Sequence, residues 1–130
     1  KIYPADPGLI VAFDRSGRAN LGHVLETVVL NELERRGAEI GYVKTEAGLE
    51  VDFLARHSGA GEELIQVCAD VSDPATLERE LRALDAAGRE HRRAAKRLLV
   101  LSRDDVPHVQ TRGVEIQPAY EWLLALSASP

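Results

Sequence analysis

Four positions set inside apolar segments, Glu26, Asp52, Gln66 and Cys68, hold the chemistry this chain could perform. In Gly48-Leu49-Glu50-Val51-Asp52-Phe53-Leu54-Ala55, the two-residue period of a strand puts Leu49, Val51 and Phe53 on one face and Glu50, Asp52 and Leu54 on the other. Asp52 thus stands mid-strand, where a bare carboxylate is costly and requires a cation, a donor or water. In Leu64-Ile65-Gln66-Val67-Cys68-Ala69-Asp70-Val71, the same period gathers Gln66, Cys68 and Asp70 opposite Ile65, Val67, Ala69 and Val71. If the two strands pair, Gln66 and Cys68 come beside Asp52. Glu26 is the fourth, sharing a helical face with Leu30 and Leu33 at i+4 and i+7. A helix Glu meeting a strand Asp suits Mg²⁺ or Mn²⁺, since a hard cation takes oxygen ligands at about 2.1 Å and keeps waters that can be activated for attack. Lys44, one strand earlier, is the nearby cation; the turn Thr45-Glu46-Ala47-Gly48 decides whether it faces Asp52, because one residue of slip reverses the face. Asp70 falls near a strand end, where it meets solvent or a helix terminus.

The elements that would position these groups can be read from period and punctuation. An arm through Phe13 contains the turn Asp6-Pro7-Gly8. A helix follows from the cap Asn20 to the stop Gly37, with Leu21, Val24, Leu25, Val28, Val29, Leu30 and Leu33 at helical spacing. Ile40–Lys44 and Leu49–Arg56 read as a hairpin joined through Ala47-Gly48, and the loop HSGAGEE leads to a third strand at LIQVCADV. Asp73 caps a second helix that begins at Pro74 and carries Leu77, Leu81 and Leu84 inward, with Gly88 as an interruption. Leu98–Ser102 is a continuously apolar inner strand, Gly113–Gln117 adds another, and Pro118 starts a terminal helix carrying Tyr120, Trp122, Leu123, Leu124 and Leu126. The expected class is α/β, a mixed central sheet flanked by helices.

Composition narrows the functional classes. Over 130 residues, 45% hydrophobic and 28% charged content match an ordinary globular domain. No apolar run approaches the ~20 residues that span a bilayer, and no leader pattern precedes a cleavage site, so the expectation is a cytoplasmic protein with no membrane segment. One cysteine excludes an internal disulfide framework, and Cys68 reads as a small buried residue. The net charge of −5 argues against a protein that coats nucleic acid along its whole surface, because such binding rests on cations displacing counterions from phosphates. A local patch remains: Arg89, Arg92, Arg93, Lys96 and Arg97 form a basic run that reads as a solvated helix face or a phosphate contact. His23, His57, His91 and His108 have no metal-binding spacing. The chain begins at Lys1 and contains no Met, which suggests a piece of a longer polypeptide.

Taken in order, Asp6-Pro7-Gly8-Leu9, GHVLETVVLNEL, EVDFL and LIQVC resemble the C-terminal domain of a family of bacterial and archaeal AAA+-type ATPases, within the PD-(D/E)XK nuclease-like superfamily. The resemblance covers nearly the whole chain. It implies one nuclease-like domain over residues 1–130, a restriction-endonuclease-like α-β-β-β-α-β core, and an upstream ATPase module; these residues contain no GxxxxGK[ST] themselves. It places the superfamily's helix acid on Glu26, its first strand acid on Asp52 and its (D/E)-x-K triplet on Gln66-Val67-Cys68. Here the sequence departs from the pattern: Gln66 offers a neutral carbonyl in place of the second acid, and Cys68 offers no cation in place of the lysine. Losing one preorganised electrostatic partner commonly costs about 10²–10³ in rate. The expected function is therefore an accessory nuclease-fold domain, catalytically impaired, that binds nucleic acid or protein. Two alternatives are an active Mg²⁺- or Mn²⁺-dependent deoxyribonuclease using Lys44 as substitute cation, and a structural or dimerisation module.

Overall fold

The computed structural model describes residues 21–102, 104 and 112–125. The expected N-terminal arm, the Asn20 cap, His108 and the helix end at Leu126 lie outside the described residues. In chain order the described elements are α1 (Leu21–Arg35), β1 (Glu39–Lys44), β2 (Glu50–His57), β3 (Gly61–Val67), α2 (Pro74–Glu90), β4 (Ala95–Val100), β5 (Val114–Pro118) and α3 (Ala119–Leu124). They form an α/β architecture with a five-stranded sheet in the order β1-β2-β3-β4-β5. β1, β2 and β3 are a meander of antiparallel neighbours, whereas β3–β4 and β4–β5 are parallel. The parallel step from β3 to β4 requires a crossover, which α2 supplies.

Local chemistry sets the boundaries. α1 ends where Gly37 adopts φ 74° and Ala38 N–H donates to Leu33 O at 3.0 Å, a left-handed closure that satisfies carbonyls the helix leaves unpaired. The β1–β2 turn closes through Gly48 at φ 82°, its N–H donating to Thr45 O at 2.9 Å. Asp73 caps α2 by accepting from Ala75 N–H at 3.0 Å, and Pro74 opens the helix. Gly88 does not interrupt α2, which runs on to Glu90. Its missing side chain has a packing reason: a Cβ there would lie 2.9 Å from Lys96 Cδ, so Gly88 is where the Lys96 stem crosses the helix. The third strand also begins earlier than the expected LIQVCADV and stops at Val67, because the loop before it is only a tight turn. The fourth is displaced likewise, occupying Ala95–Val100 rather than Leu98–Ser102.

The sheet is covered on both faces. α2 brings Leu81, Ala83, Leu84 and Ala87 against Val43, Val51, Leu54, Leu64, Leu98 and Val100 on one side. α1 brings Leu25, Val29 and Leu33 against Phe53, Ala55, Ile65, Val67 and Leu99 on the other, where Trp122 of α3 joins them. Complete burial of a side chain such as Leu33 or Leu84 contributes about 1.5–3 kcal/mol relative to exposure, so these stripes, more than helix propensity, hold the helices in place. No helix among the described residues is long and apolar enough to cross a membrane.

Candidate functional site

Strict alternation along β2 fails at the residue of interest. Val51 and Leu54, three apart, both pack on the α2 side, while Phe53 and Ala55 pack on the α1 side. The expectation that Val51 and Phe53 share a face is thereby corrected, and the pairing gives the cause: Gly41 opposes Leu54 but Val43 opposes Val51, so Tyr42 alone stands opposite Asp52 and Phe53. This is a β-bulge, one extra residue that kinks the strand and shifts the pleat.

The bulge also interrupts the pairing of β2 with β3, whose ladder begins at Phe53↔Ile65. Beyond that rung, side chains replace the backbone. Asp52 N–H donates to Gln66 Oε1 at 2.8 Å, and Val67 N–H donates to Asp52 Oδ2 at 2.9 Å. Gln66 Nε2 donates to the Glu80 carboxylate and, at 3.5 Å, to Glu50 O. Glu80, on α2, is only 7% exposed, and Arg79 donates to its second oxygen at 3.0 Å. The Gln66 amide thus accepts from a peptide N–H and donates to a carboxylate, a dual role that neither an ionised acid nor an apolar residue reproduces. Beside this seam is a pocket of about 300 Å³ whose lining includes Glu50, Asp52, Gln66, Arg79 and Glu80. Every buried side-chain nitrogen and oxygen among the described residues has a partner.

The other expected site residues are distributed around the seam. Cys68 follows β3 on the α2 side, its thiol donating to Asp70 O at 3.2 Å; burial and then the Glu80 charge push the thiol pKa up, which disfavours the thiolate. Asp70 accepts from Ser72 N–H at 2.9 Å in the turn leading to α2. Lys44 is exposed and opposes Glu50, not Asp52. Glu26 is half-buried on α1, the helix covering the face opposite Gln66 and Glu80. Asp52 and Gln66 are therefore brought into direct contact, and no cluster of three or more His, Cys, Asp or Glu able to hold a metal ion occurs among the described residues.

Glu80 is the member of this seam that the motif reading missed. Its signal was spacing: position 80 lies three after Leu77 and four before Leu84, on the inward stripe of an amphipathic helix. A carboxylate on that stripe must meet a donor on the sheet, and Gln66 is that donor.

Comparison with known proteins places little beside this geometry. The chain is 32% identical over 126 aligned positions to an uncharacterized protein of Methanocaldococcus jannaschii, an alignment covering 86% of this chain and 27% of the relative. The chain thus spans about a quarter of the length of the curated relative it matches. No protein-family profile and no solved structure matches it.

Proposed function

We propose that the chain is an accessory nuclease-fold domain with an impaired hydrolytic centre, part of a cytoplasmic ATPase chain, and that it binds nucleic acid or protein. The observation that carries this reading is the exchange between Asp52 and Gln66. The order α1-β1-β2-β3-α2-β4, with β4 parallel beside β3, suits the restriction-endonuclease-like core that the sequence resemblance implies. In that core the acids at the parting of two strands hold a metal. Here one of those positions is an amide, and both are tied into the sheet by hydrogen bonds. The Gln66 NH₂ group points at the Glu80 carboxylate, so a Mg²⁺ or Mn²⁺ ion entering the seam would meet a donor where it needs an oxygen. The donor set fits a structural stitch and does not fit the cation. The greater length of the archaeal relative is in keeping with a further module on the same polypeptide.

A second reading, an active Mg²⁺- or Mn²⁺-dependent deoxyribonuclease, is favoured by Glu80, a buried acid next to the seam. A cleavage assay on plasmid and single-stranded DNA with Mn²⁺ separates the two, using wild type, Asp52→Ala and Glu80→Gln. The first reading expects no Asp52-dependent cutting and no Mn²⁺-dependent rise in Tm. Cutting that vanishes in both variants would replace it with the second.

A further inference from the structure

At the rim of the sheet farthest from Asp52, two tight turns lie side by side. One joins β2 to β3, with Ala60 N–H donating to His57 O at 3.1 Å and Gly59 and Gly61 at φ 77° and 83°. The other joins α2 to β4, with Ala94 N–H donating to His91 O at 3.0 Å. Arg92 and Arg93 occupy its central positions, both exposed; the basic run is thus not a helix face but passes from helix through turn to strand. Strand register brings the turns together. Gly61 pairs with His57 across the antiparallel ladder, and the parallel pairing Glu63↔Ala95, carried back two residues, sets Arg93 beside Gly61. The result is a groove of about 420 Å³ lined by Arg56, His57, Gly61, Glu62 and Arg93.

The charges in this groove are unevenly committed. Glu62 is engaged by Arg56 at 3.1 Å, and Glu39 lies 3.8 Å from the same guanidinium, whose side chain remains 55% exposed. His57 Nε2 lies 2.8 Å from Glu63, which Arg97 also engages at 3.0 Å. Arg92 and Arg93 have no carboxylate partner among the described residues. We propose that this groove binds the phosphates of a nucleic-acid backbone, with Arg93 in its lining and Arg92, exposed beside it in the same turn, as the principal contacts and Arg56, braced by Glu62, as a third. A guanidinium fork matches the phosphate oxygens, adjacent arginines match a repeating anion, and a glycine floor lets a backbone approach closely. No Phe, Tyr or Trp lines the groove, and the His57 ring is tied to Glu63, so the contacts are to backbone and not stacked bases. The inference rests on the nucleic-acid half of the function proposed above and deepens it. His57 is five residues along β2 from Asp52, about 16 Å at strand rise, so the groove and the remnant site are separate places on the molecule and can be mutated independently.

The test is fluorescence anisotropy of labelled single-stranded and duplex DNA between about 50 and 200 mM salt, the range in which phosphate contacts lose most affinity. The expected result is salt-dependent binding by the wild type. The double variant Arg92→Glu/Arg93→Glu should bind at least about tenfold more weakly and lower the salt slope by about 2, one per contact, with Tm unchanged because both side chains are exposed. Equal affinity and slope in the double variant, or no salt-dependent binding by the wild type, overturns the groove. Neither outcome touches the impaired centre, which the manganese cleavage assay judges independently.

Discussion

Replacing Gln66 by Glu isolates what its amide contributes. The change keeps the acceptor for Asp52 N–H but sets a second carboxylate against Glu80 and Glu50 O. An uncompensated charge in such a place should cost roughly 3 kcal/mol, read from urea unfolding. The deficit should shrink as pH falls, because protonating the new carboxyl restores a donor; a pH-independent deficit would argue against the contact. Asp52→Ala removes the acceptor of Val67 N–H, and leaving that buried group unpaired should cost about 1–3 kcal/mol, whereas Asp52→Asn, which keeps a carbonyl oxygen, should cost less. At this scale the sequence was informative about Asp52, since an acid in an apolar strand must be answered by something. It was silent on what answered it. A bulge follows from long-range pairing, and neither Tyr42 nor Phe53 marks it locally.

Among elements, α3 has six residues, too few to be stable alone, and it is anchored through Arg36. That side chain donates to Trp122 O at 2.8 Å, lies 4.4 Å from the Trp122 ring centroid and pairs with Glu32 at 2.8 Å. The Arg35 guanidinium, opposed by partial burial and assisted by Arg36, lowers the Glu32 carboxyl from 4.5 to about 2. A depressed acid contributes stability that is complete above its unfolded pKa and is lost as pH falls through the folded one. The Glu32 contribution should therefore be whole above pH 4.5 and fade toward about 2, and Glu32→Gln should flatten that limb of a stability–pH curve. Gly88 provides a second test. Gly→Ala inside a helix normally gains about 1 kcal/mol, but here the Cβ meets Lys96, whose Nζ donates to Arg112 O at 3.0 Å. Gly88→Ala should gain markedly less in the wild type than in a Lys96→Ala background; equal gains in both would sink this account. Sequence periodicity reads a Gly inside a helical pattern as a break, because the crossing side chain that favours it comes from a strand eight residues later.

Across the whole molecule, the α/β class, the meander and the crossover helix were legible, because apolar periodicity and the caps at Gly37 and Asp73 are local signals. Which helix covers which face was not, since that depends on the shift at Asp52. Trp122, the sole tryptophan, is 3% exposed in the α1-side core, so its emission reports on that layer while far-UV circular dichroism reports on the sheet and all three described helices. One cooperative unit predicts superimposable thermal transitions from the two probes; an earlier fluorescence transition would mean that α3 undocks separately. The stitch at Asp52 and Gln66 has a kinetic consequence as well. A hairpin of flat strands can zip up one residue out of alignment, exchanging every inward side chain for an outward one. Here the misaligned hairpin forfeits both side-chain rungs together, so the kink acts as a proofreading device during folding and disfavours the trapped, edge-exposed species from which aggregation starts.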